Sequence, residues 1–128
     1  MKRILVVDNE PQLVDTVCRI IDRSFTHFDM TRLTDWTEAI FKIEDAEEPF
    51  DLVITDFRMP RGREGLAVVK AARDRSLATK VITMSSDMTH QDMADCAADG
   101  HLEKPMGLVK QLASLMFQLI PDLEAKPT

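Results

Sequence analysis

Residues 51–60 read DLVITDFRMP, and this stretch decides the fold. Its apolar run, residues 52–54, is typical of a strand that is buried on both faces of a sheet. The run leads to Asp56, and Pro60 closes it, because proline cannot continue the hydrogen-bond ladder of a central strand. Taken alone, Asp56 fits a cap of the following turn as well as it fits a functional site. In an open parallel sheet, ligands bind at the carboxyl ends of the strands, so the other strand ends decide between the two interpretations.

The composition is ordinary for a soluble domain. The chain has 128 residues, of which 45% are hydrophobic and 30% charged, enough for one domain with its own core. The net charge of −6 disfavours nucleic acid as a direct partner. No apolar run is long enough to span a membrane and no signal-peptide pattern opens the chain, so we expect a cytoplasmic protein without membrane association. Cys18 and Cys96 fall in helix-like patterns and lack metal-ligand spacing.

Hydrophobic periodicity predicts five strands that alternate with five helices. The strands are expected at about residues 4–7, 28–33, 52–56, 80–84 and 101–103. A helical stripe of apolar residues follows each strand, and the stripes begin near Pro11, Asp35, Gly65, Thr89 and Leu108. The last stripe includes Leu108, Val109, Leu112 and Met116. Acidic residues three positions after Asp35 and Thr89 are typical of helix capping boxes.

This alternation predicts an α/β fold, a flavodoxin-like doubly wound parallel sheet in the order 2-1-3-4-5 with five helices. We expect a domain over residues 1–120 and a short, mobile C-terminal tail over residues 121–128. The fourth helix, predicted to end at Gly100, has few large apolar residues, and its three aspartates indicate a solvated face: Asp92, Asp95 and Asp99. It should be the most loosely held helix of the fold.

Polar side chains end four of the predicted strands: Asp8 with Asn9, Asp56, Ser85 and Lys104. Two carboxylates in one crevice repel each other unless a cation lies between them. Oxygen ligands of this kind favour Mg²⁺, which leaves coordination positions for phosphoryl oxygens. A lysine adds a positive charge for the same phosphate, and a serine hydroxyl can donate to it. The strand ends therefore predict a site that transfers a phosphoryl group to a carboxylate.

Four motifs resemble the receiver domain of two-component response regulators. They are VVDNEP at residues 6–11, DFRMP at 56–60, MSS at 84–86 and AADGHLEKP at 97–105. The resemblance covers the chain from Lys2 to about Ile120, with the motifs in the family's order. It implies a signalling phosphoprotein that assists its own phosphorylation and slow dephosphorylation, and is not an enzyme in the ordinary sense. It also implies Mg²⁺ as the cofactor.

The resemblance also implies a role for each strand-end residue. Asp56 corresponds to the phospho-accepting aspartate, Lys104 to the lysine that contacts the phosphoryl group, and Ser85 to the hydroxyl that moves toward it. The implied metal ligands are Asp8, Asn9, Asp56 and the backbone carbonyl of Arg58.

Three further positions carry family features. Ser86 corresponds to the small residue beside the phosphoryl group, and His101 to the aromatic switch residue. The Lys104–Pro105 peptide bond is cis in this family, which only an X-Pro bond permits at low cost.

Three departures from the family pattern are expected to matter. Asn9 replaces an acid that usually binds the metal, and a simpler hypothesis makes it a helix cap. Gly65 lies nine residues after Asp56 where the family has eight, so the intervening loop is one residue longer. His101 is neither Tyr nor Phe, and it either moves with Ser85 or stays outside in both states.

Two surface features remain open. Arg58, Arg61 and Arg63 form either a solvated loop or a patch that steers the phosphodonor. Phe117 falls off the apolar stripe of the last helix and is either a single exposed aromatic or part of a partner surface.

We interpret the chain as a stand-alone receiver domain that accepts a phosphoryl group on Asp56 from the phospho-histidine of a sensor kinase or phosphotransfer protein. Phosphorylation would change the surface of the fourth helix, fifth strand and fifth helix for a downstream protein, and a homodimer is compatible with this interpretation. The alternative is a receiver-like interaction module that works without phosphorylation, because Asn9 removes a metal-pocket charge. A Mg²⁺-dependent phosphatase is disfavoured because DNEP after the first strand lacks the usual pair of aspartates, and a flavin protein because that loop is acidic.

Overall fold

Strands and helices alternate along the part of the chain that the computed structural model describes, residues 1–60 and 62–127. The strands are β1 (Lys2–Val7), β2 (Phe28–Leu33), β3 (Leu52–Asp56), β4 (Lys80–Ser85) and β5 (Gly100–Glu103). The helices are α1 (Pro11–Ser24), α2 (Trp36–Asp45), α3 (Glu64–Arg75), α4 (His90–Asp95) and α5 (Met106–Leu119).

The strands form one parallel sheet in the order β2-β1-β3-β4-β5. This order confirms the flavodoxin-like topology predicted from the alternation of elements. The central strand β3 is buried along its whole length, whereas β2 at the edge is only partly buried. The weak alternation in the sequence of β2 reflects this edge position, because one side of an edge strand faces less of the core.

Successive strand residues point to opposite faces of the sheet and build two apolar cores. Ile4 and Ile54 pack on the face covered by α1 and α5. Leu5 and Val53 pack on the other face, where α2 and α3 supply the facing side chains. Each fully buried aliphatic side chain contributes about 1.5–3 kcal/mol relative to an exposed one, so these two cores hold the strand ends in place.

The helix starts follow the capping signals in the sequence. Pro11 opens α1, and Thr89 forms a complete capping box with Asp92 at the start of α4. Asp35 accepts a hydrogen bond from the backbone N–H of Glu38 at the start of α2, at 3.4 Å.

Helix α4 is shorter than predicted, because it ends at Asp95 and does not continue to Gly100. The cause lies on α3, where the guanidinium of Arg73 donates to the carbonyl oxygen of Ala97 at 2.6 and 3.0 Å. Arg73 also pairs with Asp99 at 2.7 Å. These bonds hold the segment after α4 against α3 in a non-helical conformation. Cys96 is therefore the buried C-cap of α4 and not a residue within the helix.

The predicted solvated face of α4 is wrong for Asp92, whereas Asp95 and Asp99 are exposed as predicted. Asp92 is buried, and Asp92, Asp95 and Asp99 all form ion pairs with arginines. The sequence pattern alone favoured water as the partner of these acids, because the arginines that bind them lie on distant segments of the chain.

The predicted mobility of the C-terminal tail is wrong for its first residues. Leu123 is buried against the core of α1 and α5. Ala125 forms an antiparallel bridge with Phe25, and the backbone N–H of Thr26 donates to Glu124 at 2.8 Å. Apolar burial and backbone pairing thus attach the segment after Pro121 to the turn between α1 and β2.

Helix α5 buries Leu108, Leu112 and Met116, in agreement with its apolar stripe. Val109 was predicted to belong to that stripe, but it is 62% exposed, and Phe117 is 52% exposed. Across the described ranges, 1–60 and 62–127, no helix combines the length and apolar character needed to cross a membrane.

Candidate functional site

The parallel pairing of β1 and β3 brings two acids together. Val7 lies opposite Thr55 in the ladder, so the next residues, Asp8 and Asp56, end neighbouring strands side by side. Both are almost completely buried, with Asp8 0% and Asp56 3% exposed. Burial of two adjacent carboxylates is unfavourable without a positive charge between them.

Lys104 supplies that charge from the end of β5. Its Nζ lies 2.9 Å from Asp8 Oδ2 and 3.0 Å from Asp56 Oδ1. The backbone N–H of Lys104 donates to the carbonyl of Ser85 at 3.0 Å, which fixes the lysine beside the end of β4. The peptide bond from Lys104 to Pro105 is cis, and so is the bond from Met59 to Pro60.

One lysine does not fully compensate two buried carboxylates. Burial, followed by the charge of Asp8, raises the pKa of Asp56 from 3.8 to about 6, although hydrogen bonds from Lys104 and the Arg58 backbone N–H act in the opposite direction. Burial works to lower the pKa of Lys104, but its hydrogen bonds to Asp8 and Asp56 outweigh burial and raise it. The ammonium therefore stays charged, and the site carries an excess of negative charge.

This excess charge and the all-oxygen donor set fit a hard divalent cation such as Mg²⁺. Asp8 and Asp56 supply carboxylate oxygens. Nowhere in residues 1–60 and 62–127 do three or more acidic, histidine or cysteine side chains cluster as metal ligands. The site thus offers two carboxylates, and any further ligands come from neutral groups such as the Asn9 amide, the Arg58 carbonyl or water.

Asn9 is exposed and is not the cap of α1. The N-cap residue is Glu10, whose backbone N–H donates to Asp8 Oδ1 at 2.9 Å. The capping hypothesis for Asn9 is therefore wrong.

Ser85 ends β4 with its hydroxyl turned toward the following loop. Its Oγ donates to Asp87 Oδ1 at 2.9 Å and accepts from the backbone N–H of Asp87 at 3.1 Å. Ser85 is buried, whereas Ser86 is exposed. The Ser85 hydroxyl is thus engaged with Asp87 in this conformation.

His101 lies half-buried on β5. Its Nδ1 is 3.0 Å from Thr83 Oγ1 on the neighbouring strand, and burial lowers the pKa of the imidazole below 6.5. A cavity of about 200 Å³ adjoins the ring, lined in part by Met88, Met93 and Cys96. The ring therefore has space beside it for a change of position.

Comparison with protein families decides what this arrangement is. The model of the response regulator receiver domain matches residues 4–115. The chain belongs to the response regulator receiver domain family. Members are signalling phospho-acceptors of two-component systems, and receiver domains generally bind Mg²⁺ at their acidic site.

Solved receiver domains have the same fold. A CheY-like response regulator receiver domain protein from Methanospirillum hungatei JF-1 is 22% identical, with a TM-score of 0.77 over 93% of this chain and 94% of that chain. A response regulator receiver protein from Sinorhizobium medicae WSM419 is 24% identical, with a TM-score of 0.77 over 94% of this chain and 95% of that chain.

A response regulator protein from Burkholderia pseudomallei, solved with a phosphorylated aspartic acid, calcium ion and citrate, is 18% identical. Its TM-score is 0.74 over 93% of this chain and 69% of that chain. A comparison with curated proteins found no match.

The loop between β3 and α3 returns to the end of β3 through two residues. The Glu64 carboxylate accepts hydrogen bonds from the backbone N–H groups of Met59 and Gly62, at 3.1 and 2.9 Å. The backbone N–H of Gly65 donates to the carbonyl of Phe57 at 2.9 Å. A Cβ at Gly65 would overlap the Asp56 carbonyl and lie 2.6 Å from Phe57 Cα, so only glycine fits this close approach.

Two loop arginines of the receiver domain form ion pairs that the sequence did not indicate. Arg58 contacts Asp87 at 3.0 Å and Asp92 at 2.8 Å. Arg63 contacts Asp92 at 3.1 Å and Asp95 at 2.6 Å. The prediction of a solvated loop is therefore wrong for Arg58, which is half-buried, whereas Arg63 is exposed and also paired; Arg61 lies outside the described residues. In the sequence, the only sign of these ion pairs is that arginines follow β3 and aspartates follow β4. Which of them pair depends on the order of the strands in the sheet.

Proposed function

We propose that Asp56 accepts a phosphoryl group from the phospho-histidine of a sensor histidine kinase or phosphotransfer protein. The observation that carries the proposal is the single lysine amine that bonds to Asp8 and Asp56 at the ends of adjacent strands. The raised pKa of Asp56 supports this proposal, because it shows that the positive charge of Lys104 does not fully offset burial and the charge of Asp8. Perturbed pKa values of this kind are typical of functional sites.

The proposed step is an in-line displacement at phosphorus. An oxygen of the Asp56 carboxylate forms the new P–O bond, the P–N bond to the donor histidine breaks, and the histidine nitrogen leaves with the bonding electrons. Lys104 is placed to stabilise negative charge on the phosphoryl oxygens.

Asp8 and Asp56 are the side chains that would hold Mg²⁺, with the backbone carbonyl of Arg58 and the Asn9 amide as neutral ligands. Bound there, the cation supplies positive charge that offsets the charge of the carboxylates and of the phosphoryl oxygens. Asn9 contributes no charge, so we expect this pocket to hold the metal less tightly than one with three acids.

Ser85 and His101 are the proposed switch residues. The Ser85 hydroxyl turns from Asp87 toward the acyl phosphate, and His101 changes its position beside the adjoining cavity. The surface of α4, β5 and α5 then changes for a downstream protein. Two exposed apolar side chains on α4 and at the start of α5 support that role: Met93 and Met106.

One observation favours a second candidate, a receiver-like interaction module that needs no phosphorylation. The site has two carboxylates where a strongly binding metal site would have more, and Lys104 already bonds to both. In this alternative the Lys104 ammonium permanently takes the place of the metal ion. A partner protein then binds the surface of α4, β5 and α5 in a single conformation.

Intact-mass measurement separates the two candidates. The protein is incubated with acetyl phosphate in the presence and absence of Mg²⁺, together with Asp56→Ala as the matched control. The proposed function predicts one phosphoryl mass on the wild type with Mg²⁺ and none on Asp56→Ala. A wild-type protein that gains no mass under any of these conditions supports the phosphorylation-independent module.

A further inference from the structure

Charge, and not apolar burial, attaches α4 to the receiver domain. Asp92 is the buried residue of α4, and Met93 is 50% exposed. A surface helix normally packs through an apolar stripe, and α4 presents none to the core. Its attachment therefore depends on the partners of its carboxylates.

The Asp92 carboxylate has two functions at the start of α4. Its Oδ2 accepts from the backbone N–H of Thr89 at 3.1 Å and so completes the helix cap. The same oxygen accepts from Arg58 Nη2 at 2.8 Å, while Oδ1 lies 3.1 Å from Arg63 Nε. The first turn of α4 is thus tied to the loop that follows the acceptor strand.

Arg58 connects this attachment to the switch hydroxyl. Its Nε donates to Asp87 Oδ1 at 3.0 Å, and that same oxygen accepts the proton of the Ser85 hydroxyl at 2.9 Å. Arg58 also follows Asp56 by two residues in the sequence. One guanidinium therefore holds both the acceptor of the Ser85 hydroxyl and the first turn of α4.

We propose that the Arg58 side chain is a positioning residue that couples the orientation of Ser85 to the attachment of α4. In the resting protein it holds Asp87 where that carboxylate engages Ser85, and it holds Asp92 where α4 stays against the loop. Two arginines face three aspartates in this network, so a new negative charge near Arg58 competes with Asp87 and Asp92 for it. Movement of Ser85 toward a phosphoryl group on Asp56 and release of the first turn of α4 then occur together.

Amide hydrogen exchange in α4 tests whether Arg58 holds this helix in the unphosphorylated, resting protein. The reporters are the N–H groups of Met93 and Cys96, which bond to the carbonyls of Thr89 and Asp92 at 3.1 and 3.0 Å. Arg58→Gln removes the charge and keeps most of the side-chain length. We expect both amides to exchange roughly tenfold faster than in the wild type, since charged hydrogen bonds to a buried carboxylate are lost.

The matched control is Arg75→Gln, which removes a partly buried guanidinium at another place. Arg75 donates to the carbonyls of Ile43 and Glu44 at the end of α2, at 3.2 and 2.9 Å. Exchange in α4 should not change in this variant. Equal α4 exchange rates in Arg58→Gln and Arg75→Gln would overturn the inference.

Arg63→Gln separates coupling from simple loosening. It breaks contacts to Asp92 and Asp95 and leaves Asp87 untouched, so it should speed exchange in α4 without changing the amide resonance of Asp87. Arg58→Gln should change both. An Asp87 resonance that stays at its wild-type position in Arg58→Gln would overturn the coupling, even if α4 exchanges faster.

The phosphorylated half rests on the proposed function and is tested with Mg²⁺ and beryllofluoride, an acyl-phosphate analogue. We expect the analogue to raise α4 exchange in the wild type toward the rate of Arg58→Gln and to change the variant little. An equal further rise in Arg58→Gln would contradict the coupling. The resting comparison uses no phosphodonor, so its failure would overturn this inference and leave the proposed function intact. The absence of phosphoryl mass on Asp56 would overturn the proposed function and the phosphorylated half, but not the resting role of Arg58.

Discussion

Removing the charge of Asp56 should stabilise the metal-free receiver domain. The perturbation is Asp56→Asn, which keeps the shape of the side chain and resembles the protonated acid. Burial beside Asp8 raises the pKa of Asp56 from 3.8 to about 6, so the folded protein prefers the uncharged form. At 1.36 kcal/mol per pKa unit, this shift corresponds to roughly 3 kcal/mol in favour of the variant at high pH. For a domain of this size, that is a rise in Tm on the order of 10 °C.

The stability difference between Asp56→Asn and the wild type should grow as pH rises. Below pH 3.8 the acid is protonated in both the folded and the unfolded chain, so charge contributes no difference between wild type and variant. As pH rises toward 6, the unfolded chain loses its proton first and the wild type loses stability relative to Asp56→Asn. Above pH 6 the difference in the free energy of unfolding should be constant at its full value.

Urea unfolding in EDTA at pH 4.5, 6 and 8 measures this difference. The matched control is Asp29→Asn, which removes the same charge from an exposed position on β2 and should change stability little. Mg²⁺ should reduce the difference in the free energy of unfolding between the two proteins, because it binds the folded wild type more tightly than the variant. A variant less stable than the wild type at pH 8, or a gap that does not change with pH, would refute the electrostatic reasoning.

Three further outcomes are expected. Asn9→Asp should tighten Mg²⁺ binding about ten- to thirtyfold in a calorimetric titration, because a neutral ligand becomes charged, and an unchanged constant would remove Asn9 from the metal pocket. Gly65→Ala should lower the free energy of unfolding by roughly 2–4 kcal/mol in urea, because its Cβ would overlap the end of β3, whereas a Cβ at Gly107 on α5 meets only ordinary van der Waals contacts, so Gly107→Ala should not destabilise the domain. The NMR titration of His101 should show a pKa below 6.5 that changes when beryllofluoride and Mg²⁺ are added, and identical curves in both states would exclude His101 from the switch.

Strand order and strand ends were predictable from the sequence because they follow from local patterns. Apolar runs that lead to Asp8 and Asp56, and a short fifth strand followed by Lys104, put these residues at one edge of any parallel sheet with this connectivity. Their closeness then needs no knowledge of side-chain packing, and the observed contacts of 2.9 and 3.0 Å agree with it.

The ion pairs of α4 could not be predicted in this way. Arg58 and Asp92 are 34 residues apart, and nothing in their local sequence distinguishes a paired charge from a solvated one. The early end of α4 has the same origin, since Arg73 on α3 takes the carbonyl of Ala97 from outside the helix. Long-range polar contacts of this kind depend on the completed fold, whereas hydrophobic periodicity does not.

The C-terminal segment shows the same limit for apolar contacts. Leu123 is one apolar residue in a polar stretch, so its sequence context indicates a tail. Its burial depends on the turn between α1 and β2, where Phe25 pairs with Ala125. A single anchoring side chain carries no periodic signal, and only the folded chain reveals its contact.

Chemical trapping of the acyl phosphate identifies the residue that accepts the phosphoryl group. The protein is incubated with Mg²⁺ and acetyl phosphate and then reduced with borohydride, which converts an aspartyl phosphate to homoserine, and the peptides are mapped by mass spectrometry. If Asp56 accepts the phosphoryl group, we expect homoserine at position 56 and an unmodified Asp8. Homoserine at another position, or a phosphoryl mass on the intact protein without homoserine at position 56, would contradict it.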